Sequence, residues 1–588
     1  NRLLSRFVRV LYNAHIISYL DVVLLQYLNK KYTKGVQSMK KWKLLALLLA
    51  AMVALTFVSA CSKDTEQLET PTPAATPEEE PKTTGKEPED EAPSAIFPLA
   101  ETFEFSFWVG LYESYLKSMT SLDDHPIHQE LEKLTNVHVN FIHPTYGSES
   151  EAFSVMLNSE IYPDVFATSY HSKGNADLFY NEIIIELTDL MPTYMPNYHS
   201  IISANKDVDR DVKLDTGEYV AICTIYETIP LPWRGLVVRQ DLLDKIGKGI
   251  PETSSEWESV LTAFKEMGVE KPLFICNNGA TDNTFEGLFN IGQRLYRDGS
   301  TVKYGPYEPG YRQYVEFMKD WYDKGLIDPE FAGTTGFAGA LGLPDAAVIN
   351  SGKVGASNAQ SHTLGTQLAD AGVTASPDMF FSAAYPPVNN KGDKPSFSKV
   401  AGSGRLGASY AVSVDCSGEK IPTILRYFDF LYGEETRLLR NYGIQGVSWE
   451  YDENGVPQYT DLINASSYDG VNTFHVYDYS LFSMPYYMID RELIQGRPQY
   501  ILDMQHKWVV TGTNLAVLPS LTLTDEESAV ASAIINDCNT YADEMTVKFI
   551  TGEEPLDKFD DFVRTLERMN IETALEAYQA AYDRYLSR

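Results

Sequence analysis

GEYVAICTIYETIPLPWRGLVVRQDLLDKIG, residues 217–247, is the stretch on which the architecture turns. Two apolar runs, Val220–Tyr226 and Gly235–Arg239, flank a crossover that carries Pro230 and Pro232. The pattern predicts a hairpin-like pair of strands around the prolines, then a helix from Gln240. Residues 251–268, PETSSEWESVLTAFKEMG, follow as an amphipathic helix with Ser and Thr capping candidates at its start.

The same alternation runs outward in both directions. Upstream, ETFEFSFWVG (101–110) sets Phe103, Phe105, Phe107 and Val109 at every second position, a strand pattern. HPIHQELEKLTNVHVNFIHP (125–144) and SEAFSVMLNSEIYPDVFATS (150–169) each read as a helix and then a strand. Downstream, residues 309–331 form a helix ended by Gly325, 346–360 a helix end, a turn and a strand, and 407–415 a strand. Residues 419–447 are a long helical region, and beyond Leu523 the chain reads as helix to Arg588. Strands alternating with helices argue for an α/β sheet with parallel strands.

The first hundred residues differ in character. MKKWK (39–43) precedes an apolar run of about 15 residues, short of the roughly 20 needed for a spanning helix. Basic flank, apolar run and small residues make an export signal. Val58-Ser59-Ala60-Cys61 looks like a bacterial lipobox, which implies cleavage before Cys61, a diacylglycerol on its thiol and acylation of its new amino group. Two acyl signals anchor firmly where one holds only marginally. Residues 1–38 read as sequence upstream of a start at Met39, with an extra membrane-associated helix as the alternative. Residues 39–60 are then a signal peptide. Residues 61–98, rich in Pro, Thr and Glu, cannot bury enough apolar surface to repay ordering, so a disordered lipid-anchored tether is expected.

A chain of 588 residues can build two or three domains around a large core. Its net charge of −33 disfavours nucleic acid and polyanionic ligands. Cys223, Cys276, Cys416 and Cys538 show no CxxC spacing, so buried free thiols are expected rather than a zinc or redox site. His125, His128, His138 and His143 fall across a helix and a strand without an HExxH pattern, so no metal is expected. GxSxG and P-loop motifs are missing from the sequence, and no cofactor is expected.

The segments together resemble the extracellular solute-binding proteins (family 1) of carbohydrate ABC importers, in the large lipoprotein form of Gram-positive bacteria. The resemblance rests on an ordered series: LEKLTNVHVNFI (131–142), LNSEIYPDVFATS (157–169), GLVVRQDLLDKIG (235–247) with PETSSEWESVLTAFKE (251–266), YVEFMKDWYDKGLIDPEF (314–331), INSGKVGA (349–356), RYFDFLYGEETRLLRNYGIQGV (426–447) and the tail 549–585. Ser159-Glu160-Ile161 stands where the family pattern carries Ser-Gly-Asp. GVEKPLFICNNG (268–279) lacks the Asp-rich, calcium-loop-like segment of many relatives, so no calcium is expected there. YDENGVPQY (451–459) reads as a hairpin turn rather than a calcium loop.

The resemblance implies a two-lobed, periplasmic-binding-protein-like α/β fold of type II, a hinge between the lobes and a helical C-terminus. Lobe 1 is expected at 99–230 plus 402–447 and lobe 2 at 235–400 plus 450–588. Crossings are expected near Tyr226–Gly235, Val400–Gly404 and Gly446–Tyr451. The implied protein is a monomeric, non-catalytic receptor held on the extracytoplasmic membrane face. It would pass a sugar, or an oligosaccharide, to ABC permease subunits. A ligand-sensing ectodomain of the same fold, a surface glycosidase and a peptide ligand stay open as alternatives; glycosidase chemistry needs two carboxylates about 5–10 Å apart, a spacing sequence does not give.

Sugars offer apolar C–H faces to aromatic rings and hydroxyl edges to polar side chains. Open α/β sheets bind at the carboxyl ends of their strands. The residues in such places are Trp233 and Arg234 in the Pro-flanked crossing, Trp108 and Glu113 after the first strand, and Ser169 and Tyr170 after the third. Asn277, Asn278 and Gln360 end later strands, Arg405 lies in the Gly-rich AGSGRLGAS, and Trp449 follows a helix. Trp257 and Trp321, on amphipathic helices, are expected in the core.

Overall fold

The computed structural model describes residues 97–588 apart from 112–114, 172, 278–284, 335–345, 362–363, 365–373, 398–404, 465–477, 482, 490–498, 511–512 and 514. The leader, Cys61, nearly all of the tether, Glu113, Asn278 and the crossing expected at 400–404 lie outside these residues.

Two sheets organise the folded part. The first has six strands in the order β14 (Tyr487–Met488), β4 (Ile222–Tyr226), β11 (Leu406–Val412), β3 (Val165–Ala167), β1 (Phe103–Trp108) and β2 (Val137–Ile142). β1 runs parallel to β2 and β3, β11 runs antiparallel to β3 and β4, and β14 is parallel to β4. The alternation in β1 sends Phe105 and Phe107 to one face, where they meet Tyr427 and Phe428 of the helix Ile421–Phe430 at ring distances of 5.7 and 6.0 Å. Trp108 points to the other face, among Phe153 and Phe166. Both faces are thus covered, as a largely parallel sheet requires.

The second sheet is four-stranded: β10 (Phe381–Ala383), β5 (Arg234–Arg239), β9 (Val354–Gln360) and β6 (Lys271–Phe274). β5 is antiparallel to both neighbours, and β6 is parallel to β9. The helix Ser254–Glu266 opens with a capping box in which Thr253 Oγ1 accepts the Glu256 N–H and the Glu256 carboxylate accepts the Thr253 N–H. The backbone N–H groups of Glu252 and Thr253, both donating to the Glu256 carboxylate, hold its pKa down, at about 2. Trp257 and Trp321 are fully buried here, as expected of their amphipathic helices. Only residues 267–270 separate the helix from β6. β7 (Leu295–Asp298), β8 (Thr301–Tyr304) and β15 (Leu515–Val517) form a third sheet, and helices Asp525–Thr551, Phe559–Arg568 and Ile571–Ser587 close the chain. β12 (Trp449–Tyr451) and β13 (Pro457–Tyr459) make the hairpin read from YDENGVPQY. Cys223, Cys276, Cys416 and Cys538 are buried free thiols.

Two expectations need correction. β4 and β5 are not a hairpin-like pair: they belong to different sheets, and the proline segment 227–233 carries the chain between them. Nor does the chain change lobes near Gly446–Tyr451. The hairpin stays with the first lobe, where Tyr459 Oη donates to Asn441 O at 3.0 Å, and β14 pairs with β4. The described residues of 450–464 and 478–488, assigned to lobe 2 from sequence, therefore pack with the first lobe, and the next described element, the helix Gln499–Trp508, packs on the second sheet.

Candidate functional site: strand edges at the crossings

The crossings leave the first sheet side by side. Ile225 N–H donates to Tyr486 O (3.0 Å), Tyr226 N–H to Arg405 O (2.8 Å) and Glu227 N–H to Met488 O (2.9 Å), so the end of β4 is clamped by the chain on both flanks. Because β4, β3, β1, β2 and β14 all point the same way, their carboxyl ends share this edge with the start of β11. In the second sheet the incoming end of β5 lies beside the carboxyl ends of β9 and β6, with Arg234 opposite Gln360 in register.

Most of the sequence-selected residues stand on these two edges. On the second sheet, Trp233 is 41 % exposed, and the Arg234 guanidinium lies 5.3 Å from its ring. Trp233 O accepts the Ser361 N–H at 2.9 Å, which fixes its backbone. Asn277 follows β6, with its N–H on Thr334 O (2.9 Å) and its amide on Ala332 O (3.3 Å). On the first sheet, exposed Ser169 follows β3 and accepts the Ser409 N–H at 3.5 Å. Arg405 Nε donates to Tyr226 O at 3.1 Å, so its guanidinium sits on the crossing itself. β11 has a register irregularity between Leu406 and Ser409, and bulges of this kind re-aim side chains beside sites.

Two of the sequence-selected aromatics are core instead. Trp108 is buried under the helix Glu149–Ser159. Trp449 is 3 % exposed, packs on Tyr442 and donates Nε1–H to Gly443 O at 3.0 Å. Tyr170 is half-buried edge-on to Trp108 at 5.6 Å, and burial followed by Glu149 pushes its hydroxyl up to about 12. The residue missed by the sequence reading is Trp508, whose indole covers Gly235 at the start of β5; only its place on an amphipathic helix marked it, and that pattern reads as core.

The four histidines of residues 125–143 sit in packing and hydrogen-bonding positions of the first lobe. His125 Nδ1 accepts the Ile127 N–H at a helix start, and His143 bridges Val109 O (2.7 Å) and the Leu122 N–H (3.1 Å). Burial, then His125 and His143, drive the His128 pKa well down, while exposed His138 is bound to Glu132 and pushed up by it. Among the described residues no group of three His, Cys, Asp or Glu side chains could hold a metal ion.

A mixed two-sheet body with adjacent crossings and a helical C-terminus is the fold of the two-lobed solute-binding proteins. The solved structure of the alginate-binding protein AlgQ2 without calcium ion superposes with a TM-score of 0.65 at 20 % identity, covering 83 % of this chain and all of that one. FusA of Streptococcus pneumoniae, solved in complex with kestose, gives 0.64 at 18 %, covering 82 % of this chain and 99 % of that one. In sequence the chain is similar to FusA, described as a fructooligosaccharide ABC transporter substrate-binding protein of Streptococcus pneumoniae serotype 4, at 26 % over 278 residues, 42 % of this chain and 49 % of FusA. It is also similar to lipoprotein LipO of Bacillus subtilis, at 23 % over 468 residues, 75 % of this chain and 85 % of LipO. The match thus spans about half of FusA. No family model matches the chain.

Proposed function

We propose that the protein is an oligosaccharide receptor of an ABC importer. Ligand would lie between the two strand edges, with Trp233 covering a sugar face and Arg234, Gln360, Asn277, Ser169 and Arg405 serving hydroxyl edges. The observation that carries this is the adjacency of the crossings, which lets the two edges approach each other by a hinge. The relatives support it, being named as substrate-binding and sugar-binding proteins rather than enzymes. No helix among the described residues is long and apolar enough to cross a membrane. Lipid on Cys61 would supply the attachment, and permease subunits the partner.

A thermal-shift screen with mono- and oligosaccharides tests the reading. A true ligand at 100 times its Kd stabilises the fold by about 2.7 kcal/mol. Trp233→Ala should weaken binding of any hit at least tenfold without loss of fold. Stabilisation by no saccharide, or release of free sugar from a bound glycan, would reject the receptor reading. Mass analysis of the membrane-bound protein for a diacylglycerol on Cys61 tests the anchor separately.

A further inference from the structure

We infer that Trp508 is the positioning residue of the ligand platform, holding Trp233 and Arg234 at the cleft edge from the crossing that follows β14; the inference rests on the receptor reading. Trp508 ends the helix Gln499–Trp508, the first described element after that crossing, and is 1 % exposed. Its indole lies flat on the backbone of Gly235. A methyl group there would stand 2.4 Å from the ring, so only glycine fits the contact. Nε1–H donates to Leu236 O at 2.9 Å, the same carbonyl that accepts the Ala384 N–H at 2.9 Å.

The start of β5 needs this support. At Val237 and Val238 β5 is paired on both sides, with β9 and β10. At Arg234 and Gly235 it is paired with β9 alone, and ahead of it run Pro230 and Pro232. The Trp508 ring covers that half-paired end. Met504, one helical turn earlier, packs with Trp508 against Val237 and Phe381, so the helix is itself anchored to the sheet. The chain leaving β14 thereby fixes the chain entering β5, and the platform residues sit one and two positions before Gly235.

The test uses 5-fluorotryptophan-labelled protein, with the Trp233 fluorine resonance assigned by Trp233→Phe. Gly235→Ala should move that resonance and weaken the best oligosaccharide of the screen at least tenfold. Adding Trp508→Leu to Gly235→Ala relieves the clash but removes the ring and the bond to Leu236 O; it should restore affinity only in part and leave the resonance displaced, and full recovery of both would overturn the proposal. If Gly235→Ala does not fold, Trp508→Phe takes its place. It keeps a ring on Gly235 but loses the bond to Leu236 O, and should move the resonance with a smaller loss of affinity. A destabilised variant whose Trp233 resonance and affinity are unchanged would overturn the proposal, since a merely structural contact behaves that way. Failure of the wild-type protein to bind any saccharide would sink the receptor reading instead, and the resonance would still report on positioning.

Discussion

The strands beside the crossings and the contact between the lobes are held by different chemistry. Beside the crossings, β4 is held to its neighbours in the first sheet main chain to main chain: Tyr226 N–H to Arg405 O and Glu227 N–H to Met488 O. Between the lobes, ahead of β4, the bonds are to charged side chains. Asp215 accepts Arg584 Nε at 2.7 Å and Arg588 Nε at 2.8 Å, Tyr585 Oη donates to Asp211 at 2.5 Å, and Arg588 Nη1 reaches Lys213 O at 2.6 Å. Arg584 is held a second time by Glu527, at 2.5 and 2.6 Å. The main-chain bonds do not depend on any one side chain. The charged joint is a part-buried network centred on Asp215 and Arg588, and removing Asp215 takes a carboxylate partner from two arginines at once. The pairing inside the sheet therefore belongs to the fold, and the joint between the lobes belongs to particular residues.

The largest expected effect falls on the packing behind the crossings. Arg440, buried on the helix Arg437–Tyr442, donates Nε–H to Tyr487 O at 2.9 Å, and Trp449 packs beneath that helix on Tyr442. Trp449→Ala should cost about 4 kcal/mol in urea unfolding. Trp233→Ala, at an exposed position, should stay within about 0.5 kcal/mol. Equal costs would mean that the crossing stands without support from below.

The charged joint comes next. Asp215 and Arg588 are both nearly buried, so Asp215→Ala should cost about 3 kcal/mol, and Asp215→Asn clearly less because it keeps acceptor capacity. A cost under 1 kcal/mol for Asp215→Ala would make the joint an ordinary surface contact.

pH separates the two regions from the body of the first lobe. At the charged joint, burial works against the Glu527 carboxylate, but Arg584 and the Thr524 N–H outweigh it and hold its pKa below the usual range. Its contribution is present above the unfolded pKa and is lost as pH falls through the lower folded value. Asp429 has the opposite sign. Burial raises its carboxyl to about 6, although it accepts the Tyr198 N–H (2.9 Å) and the Asn197 amide (3.0 Å). Between roughly pH 4 and pH 6 the folded state holds more protons than the unfolded, so stability falls as pH rises through that window, on the order of 2 kcal/mol. Asp429→Asn should flatten that slope in denaturation series run from pH 4 to 7, leaving the Glu527 loss at lower pH. A slope unchanged by Asp429→Asn would move the titration elsewhere.

Much of this was legible in the sequence, for physical reasons. The spacing of Phe103, Phe105 and Phe107 is the pleat of β1, and the stripe of Trp257, Val260, Leu261 and Phe264 is the buried face of its helix. Strand ends were legible too, which is why Trp233, Arg234, Gln360, Asn277, Ser169 and Arg405 stand on the two edges. Partner choice was not. The runs before and after Pro230 look alike locally whether they pair with each other or with different sheets, and only distant strands such as β11 and β9 decide it. Tryptophans near turns misled for the same reason. Trp449 and Trp233 share a loop-side position in sequence, but Tyr442 and Gly443 close over one, and the local pattern does not reveal it. Trp508 was invisible because its partner is a glycine 273 positions earlier.

The smallest effect concerns the edge of the first sheet. Glu160 caps the helix Glu149–Ser159 in the left-handed region, φ 53°, where the resembled pattern carries glycine. A side chain with a Cβ pays about 1 kcal/mol for that conformation, because the Cβ crowds its own carbonyl. Glycine adopts it freely but gives up chain entropy in the unfolded state, so the net gain is smaller. Glu160→Gly should therefore raise stability by about 0.5 kcal/mol. The Glu160 N–H bond to Leu157 O is a backbone bond and should persist, so β3 and Ser169 should hold their places and ligand affinity should not change. If Glu160→Gly instead weakens binding, the strained cap is positioning the edge, and the first sheet would depend on a side chain as the charged joint does.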